Sequence, residues 1–100
     1  MQFIYILTLS EKFQYPAHWT NEENQTLDKH FLYLKGLFES GVMKHVGRTD
    51  LNYGDDNLNG YAIFESESEE LAREIMQNDP AVQGGIMSAK LLPYKIVFHQ

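Results

Sequence analysis

The chain has 100 residues, 43% of them hydrophobic, and 14 Asp and Glu against 8 Lys and Arg give a net charge of −6. This length suits a single domain, which we assign to residues 1–100, and the hydrophobic content is enough for a core. The absence of cysteine excludes disulfides, zinc–thiolate sites and thiol nucleophiles. The acidic charge is scattered, whereas nucleic-acid binding needs clustered cations, so no nucleic-acid partner is predicted.

The first nine residues are mostly apolar, but no basic segment precedes them and no small-residue cleavage site follows. This pattern predicts a strand and not a signal peptide. No apolar run reaches the roughly 20 residues that a membrane span needs. We therefore expect no membrane association and a cytoplasmic location.

The first half of the chain predicts a strand, a loop and a long helix. Branched and aromatic residues are typical of a strand over Phe3–Leu9, and a polar loop containing a proline covers Ser10–Asn24. Thr20 and Glu23 have the spacing of a capping box, which predicts a helix over Asn21–Ser40 with Leu and Phe along one face.

The second half predicts two strands, a helix and a final strand. A capping box of Ser66 with Glu69 opens the helix, and the proline after Asp79 ends it. The predicted elements are strands over Val42–Asp50 and Gly60–Glu65, a helix over Glu67–Asn78, and a last strand over Ser88–Phe98.

The order β-α-β-β-α-β with right-handed crossovers predicts an α+β, ferredoxin-like fold: a four-stranded antiparallel sheet with two helices on one face. The first strand is apolar on both of its faces, because Ile4 and Ile6 alternate with Phe3, Tyr5 and Leu7. The helices cover one sheet face only. We therefore predict a homodimer in which a second copy packs sheet against sheet.

Six segments of the sequence, together with Gly85, resemble the YciI-like (YCII-related) proteins: residues 28–34, 37–42, 60–66, 70–72, 78–82 and 91–94. The resemblance spans nearly the whole chain and implies the dimeric α/β-barrel form of the ferredoxin-like fold. It also implies an active site of one histidine and one aspartate, at His30 and Asp79. Most relatives have no established reaction, and a few are dehalogenases acting on chlorinated muconolactone-type lactones.

The position of His30 is compatible with two interpretations. It follows Leu27 by three residues and precedes Leu34 by four, so it lies on the apolar face of the first helix. A lone histidine there is more often a packed core residue. The functional interpretation is a general acid or base, because an imidazole exchanges a proton near neutral pH.

Asp79 also has two interpretations. It is four residues after Ile75, which places it on the core-facing side at the C-terminal end of the second helix, where the helix dipole disfavours a carboxylate. A histidine partner would offset that cost, and in such a pair the carboxylate orients the imidazole. Alternatively, Asp79 only organises the turn before Pro80.

Two further residues are candidates for substrate binding. Arg48 can hold an anionic group through two parallel hydrogen bonds, or it is an exposed strand residue paired with Asp50 or with an acidic residue of a helix. Trp19, together with Tyr15, can roof a pocket or simply fix its own loop.

No pair among the four histidines has the i, i+4 spacing that places two metal ligands on one helix face. We predict neither a metal ion nor a cofactor. The leading hypothesis is an enzyme acting on an unknown small carbonyl or lactone compound by isomerase, lyase or dehalogenase-like chemistry. The alternatives are a non-catalytic ligand-binding or accessory domain, and a cofactor-free monooxygenase. Fold alone does not decide between them.

Overall fold

A computed structural model describes all residues, Met1–Gln100. Its elements are β1 (Gln2–Leu9), α1 (Asn21–Glu39), β2 (Met43–Arg48), β3 (Asn59–Glu65), α2 (Glu69–Gln77), α3 (Pro80–Gln83) and β4 (Met87–Pro93). Two 3-10 turns, Glu11–Phe13 and Pro16–His18, lie between β1 and α1. None of the helices combines the length and the apolar character that crossing a bilayer requires.

The four strands form one sheet in the order β2-β3-β1-β4, and every neighbouring pair is antiparallel. Tyr5 in the middle of β1 lies opposite Ala62 of β3 and Leu91 of β4. The predicted ferredoxin-like topology is confirmed. The short helix α3 was not predicted, because no element was assigned between the predicted helix ending at Asn78 and the predicted strand beginning at Ser88.

The core lies between one face of the sheet and the helices. It contains residues of β1, β2, β3, α1 and α2: Phe3, Tyr5, Leu7, Leu34, Met43, Ala62, Phe64, Ala72 and Met76. Both long helices therefore cover the same sheet face, as predicted. The opposite face carries Ile4 beside Ile63 and Leu92, its neighbours on β3 and β4, and no helix covers it.

The start of α1 is as predicted and the start of α2 is not. Thr20 and Glu23 form the capping box of α1. The predicted capping box of Ser66 with Glu69 is wrong, because Ser68 is the N-cap and its Oγ accepts a hydrogen bond from the Leu71 N–H at 3.1 Å. Ser66 instead donates to the Ser68 carbonyl at 2.9 Å, so α2 begins two residues later than expected.

The last strand ends at Pro93, and the prediction that it continues to Phe98 is wrong. Its neighbour β1 begins at Gln2, whose carbonyl accepts a hydrogen bond from the Tyr94 N–H at 3.0 Å. Beyond that bond no strand backbone remains to pair with. Phe98 is 94% exposed.

Candidate active site

Asp79 lies between α2 and α3 and is the N-cap of α3. Its backbone is extended, with φ −62° and ψ 123°, because α2 has ended and Pro80 disfavours helical geometry in the residue before it. The carboxylate Oδ1 accepts a hydrogen bond from the Ala81 N–H at 3.0 Å. This carboxylate therefore lies just beyond the C-terminal end of α2, as expected, and it also caps the start of α3, which was not predicted.

His30 reaches Asp79 from the middle of α1. Its Nδ1 lies 2.6 Å from Asp79 Oδ1, and the two residues are 4% and 0% exposed. An ionised carboxylate only accepts hydrogen bonds, so Nδ1 carries the proton that is donated. The second ring nitrogen, Nε2, is then free to accept or release a proton.

Tyr5 completes the surroundings of the carboxylate from β1. Its hydroxyl donates to Asp79 Oδ2 at 2.9 Å. Burial and the neighbouring negative charge raise the pKa of Tyr5 well above its usual range. The sequence interpretation counted Tyr5 only as an apolar strand residue. The missed signal is that a tyrosine on a core-facing position needs a partner for its hydroxyl.

Tyr33 lies one helical turn after His30 and has a different partner. Its hydroxyl donates to the Ile75 carbonyl at 2.7 Å, which ties α1 to α2. Burial, with a smaller contribution from the charge of Asp79, raises the pKa of Tyr33. Tyr33 therefore packs near the pair without bonding to it.

A cavity of about 370 Å³ lies between α1, the sheet and two loops, and 11 of its 16 lining residues are hydrophobic. His30 is part of the wall and Asp79 is not. Every fully buried side-chain nitrogen or oxygen has a hydrogen-bond partner, whereas the only hydrogen bond of the His30 ring is made by Nδ1. Nε2 therefore faces the cavity.

Trp19 forms part of the cavity wall. Its Nε1 donates to the Phe13 carbonyl at 2.8 Å, and its ring meets Tyr53 edge to face at a centroid distance of 5.7 Å. The residue therefore lines the cavity and also fixes its own loop. Tyr53 lines the cavity as well and was missed, because it lies in the connection between the predicted strands Val42–Asp50 and Gly60–Glu65. Tyr15 is not part of the wall.

Arg48 ends β2 opposite Gly60 and lines the same cavity. Four ion pairs are present in the structure, and Arg48 is in none of them. The predicted alternative is therefore only partly observed: Arg48 is exposed, but it pairs with neither Asp50 nor an acidic residue of a helix. The guanidinium remains available to an anionic group that enters the cavity.

Comparison with known proteins identifies the family. The YCII-related domain matches residues 1–94. The chain belongs to the YCII-related family. No curated protein matches the sequence.

Among solved structures, the YCII-related chain is similar to 5-chloro-2-hydroxyhydroquinone dehydrochlorinase from Burkholderia phenoliruptrix, determined in complex with 2,5-dihydroxybenzoquinone. The TM-score is 0.69, the sequence identity is 19%, and the alignment covers 95% of this chain and 94% of the other. At this identity the similarity establishes the fold.

The YCII-related fold thus brings together residues that are far apart in the sequence. His30 and Asp79 form the predicted contact, while Trp19 and Arg48 lie on the cavity that His30 faces. No three His, Asp or Glu side chains converge in an arrangement that could hold a metal ion. What the arrangement offers chemically is a nitrogen that can exchange a proton inside an apolar cavity, with a cation nearby.

Proposed function

We propose that this protein is an enzyme acting on a small molecule, with His30 as general acid and base and Asp79 as the residue that positions it. One observation carries the proposal: Nδ1 of the imidazole is held by a buried carboxylate while Nε2 faces a cavity. This is the arrangement in which a carboxylate fixes the tautomer and stabilises the imidazolium that forms on proton uptake.

The reaction class we propose is proton transfer that leads to isomerisation or elimination on a small carbonyl, lactone or oxygenated ring compound. Nε2 takes a proton from the substrate, the released electron pair forms a new double bond, and a leaving group such as halide departs or the bond shifts. The protonated His30 then returns its proton to the product or to water. No nucleophile is needed, which agrees with the absence of serine or cysteine from the cavity wall.

The size and lining of the cavity support a small ring as the substrate. About 370 Å³ lies within the 300–1,000 Å³ that is usual for small-molecule sites. Trp19 and Tyr53 offer aromatic surface, and Arg48 offers a partner for an anionic oxygen. The dehydrochlorinase of similar fold carries a name that describes removal of chloride from such a ring, which favours elimination as the first reaction to test.

The decisive experiment measures chloride release and product formation from chlorinated hydroquinones and chlorinated muconolactones. We expect turnover by the wild type, loss of at least about 100-fold in His30→Asn, and a smaller loss in Asp79→Asn. His99→Asn, which changes an exposed histidine outside the cavity, is the matched control and keeps full activity. Equal activity of His30→Asn and wild type would refute the proposal.

A second function is favoured by the apolar cavity itself, namely binding of a small ligand without turnover. Saturable binding by the wild type with no loss of substrate would support that alternative. Substrate loss accompanied by oxygen uptake would instead indicate cofactor-free monooxygenation.

A homodimer is also part of the proposal. The sheet face opposite the helices carries Ile4, Ile63 and Leu92. No helix covers this face, and although Ile4 is buried within the single chain, Leu92 is 36% exposed. A second copy placed sheet against sheet would remove the remaining exposed surface of Ile63 and Leu92 from water. The interface is expected to bury more than about 1,200 Å² in total, the lower range for stable assemblies.

A further inference from the structure

Tyr5 is a buried tyrosine that the proposed proton transfer does not use. Its side chain enters from β1 and is fully buried, and its hydroxyl is the only donor to Asp79 Oδ2, at 2.9 Å. The other carboxylate oxygen, Oδ1, receives the His30 Nδ1–H and the Ala81 N–H. Tyr5 and His30 are thus linked through the two oxygens of one carboxylate.

We propose that Tyr5 is a positioning residue, whose hydroxyl holds the Asp79 carboxylate ionised and thereby sets the pH at which His30 takes up its proton. The inference rests on the proposed function only for its consequence in catalysis. The titration of His30 can be observed in the folded protein without any substrate.

The direction of the effect follows from the two protonation states of His30. When His30 is neutral, the full charge of the buried Asp79 depends on the donors around it, and hydrogen bonds to a charged carboxylate favour its ionised form. When His30 is protonated, the positive imidazolium also stabilises the ionised Asp79 carboxylate. Loss of the Tyr5 hydroxyl therefore destabilises the state with neutral His30 more than the state with protonated His30. As a result, His30 keeps its proton to a higher pH.

The other titratable groups near the pair do not make this bond. Tyr33 on α1 feels the charge of Asp79, but its hydroxyl donates to Ile75. Arg48 on β2, Tyr53 in the following loop and Tyr61 on β3 line the cavity that His30 faces. None of the three has a hydrogen bond to Asp79, whose carboxylate partners are Tyr5, His30 and Ala81.

The test is an NMR titration of the histidine rings in the wild type, Tyr5→Phe and Tyr33→Phe. We expect the His30 midpoint in Tyr5→Phe to move to higher pH by at least about half a pH unit, given the usual strength of a hydrogen bond to a charged group. Tyr33→Phe removes a partly buried tyrosine hydroxyl that does not touch Asp79, and it leaves the midpoint in place. An unmoved midpoint in folded Tyr5→Phe, or equal shifts in both variants, overturns the proposal.

A measurement on the wild type covers the case in which Tyr5→Phe does not fold. With tyrosine labelled at the ring carbon that bears the hydroxyl, the Tyr5 signal is expected to change with the same midpoint as His30. A Tyr5 signal that stays constant through the His30 titration overturns the proposal. If His30 proves non-catalytic, these results stand. If it is catalytic, the acidic limb of the kcat/KM profile moves with the midpoint.

Discussion

His30 and Asp79 share a hydrogen bond of 2.6 Å, yet only His30 reaches the cavity. The carboxylate is fully buried behind the imidazole and accepts from Tyr5 and Ala81 as well. A substrate in the cavity would touch the histidine and never the aspartate. In the proposed mechanism His30 therefore exchanges the proton, and Asp79 keeps His30 in the correct tautomer and orientation.

The first prediction concerns the stability of the buried network. Asp79→Ala removes the acceptor of three donors and leaves the Tyr5 hydroxyl, the His30 Nδ1–H and the Ala81 N–H without partners. We expect the free energy of unfolding to fall by about 3–5 kcal/mol. Asp79→Asn keeps one acceptor oxygen and should lower the free energy of unfolding by less than Asp79→Ala does. Urea denaturation measures both changes.

The control for this prediction is Asp50→Ala, which changes an exposed aspartate after β2 and should alter stability by no more than about 0.5 kcal/mol. Equal stability of Asp79→Ala and Asp50→Ala would show that the buried network contributes nothing.

The second prediction concerns anion binding in the cavity. Trp19 is the single tryptophan of the chain and lines the cavity, so its fluorescence reports ligand binding directly. Arg48→Met should weaken the binding of an anionic ring compound by about 10- to 100-fold, because a hydrogen-bonded charge partner is lost. It should leave a neutral compound of the same shape unaffected. Arg73→Met is the matched control, since Arg73 pairs with Glu69 on the surface of α2.

Equal weakening of the neutral and the anionic compound in Arg48→Met would contradict the role of Arg48 as an anion partner. If Arg73→Met weakens binding of the anionic compound by the same factor, the cause is the loss of overall positive charge and not the loss of a local contact.

The fold was largely predictable because its signals are local. Alternation of apolar residues, the Thr20 and Glu23 capping box, and Pro80 mark elements whose order restricts the topology to one arrangement. The end of β4 was not predictable from its own residues, because it depends on where the neighbouring strand β1 begins, at Gln2.

The site was predictable only in part. The resemblance to the family gave His30 and Asp79, but the contact of Asp79 with Tyr5 joins residues 74 positions apart and has no local pattern. Asp79 follows the end of α2, and the short helix α3, which was not predicted, also makes it a helix N-cap. Partners of a buried carboxylate are a property of packing, which composition and spacing do not encode.

The third prediction concerns alkaline pH. The pKa of Tyr5 is raised by burial and by Asp79. Tyr5 therefore keeps its hydroxyl proton in the folded protein, whereas in the unfolded chain it releases that proton above pH about 10. The unfolded state then binds fewer protons, and the free energy of unfolding falls as pH rises, by up to about 1.4 kcal/mol per pH unit for this group. The contribution is fully present below pH about 10.

Denaturation series between pH 8 and 11, compared for the wild type and Tyr5→Phe, measure this contribution. The variant is expected to be less stable at pH 8, because Asp79 loses a donor, and to have a shallower slope above pH about 10. Identical slopes for the two proteins would contradict a raised pKa for Tyr5.

The last prediction concerns the open face of the sheet, where Ile63 lies beside Ile4. Light scattering at micromolar concentration should give a mass twice that of one chain. Ile63→Lys places a charge in the centre of this face, so burying it against a second copy becomes unfavourable, and the variant should be a folded monomer. Leu32→Lys alters a leucine that is 67% exposed on α1 and should remain a dimer. A wild-type monomer would contradict the predicted assembly, and a dimeric Ile63→Lys would place the interface on another surface.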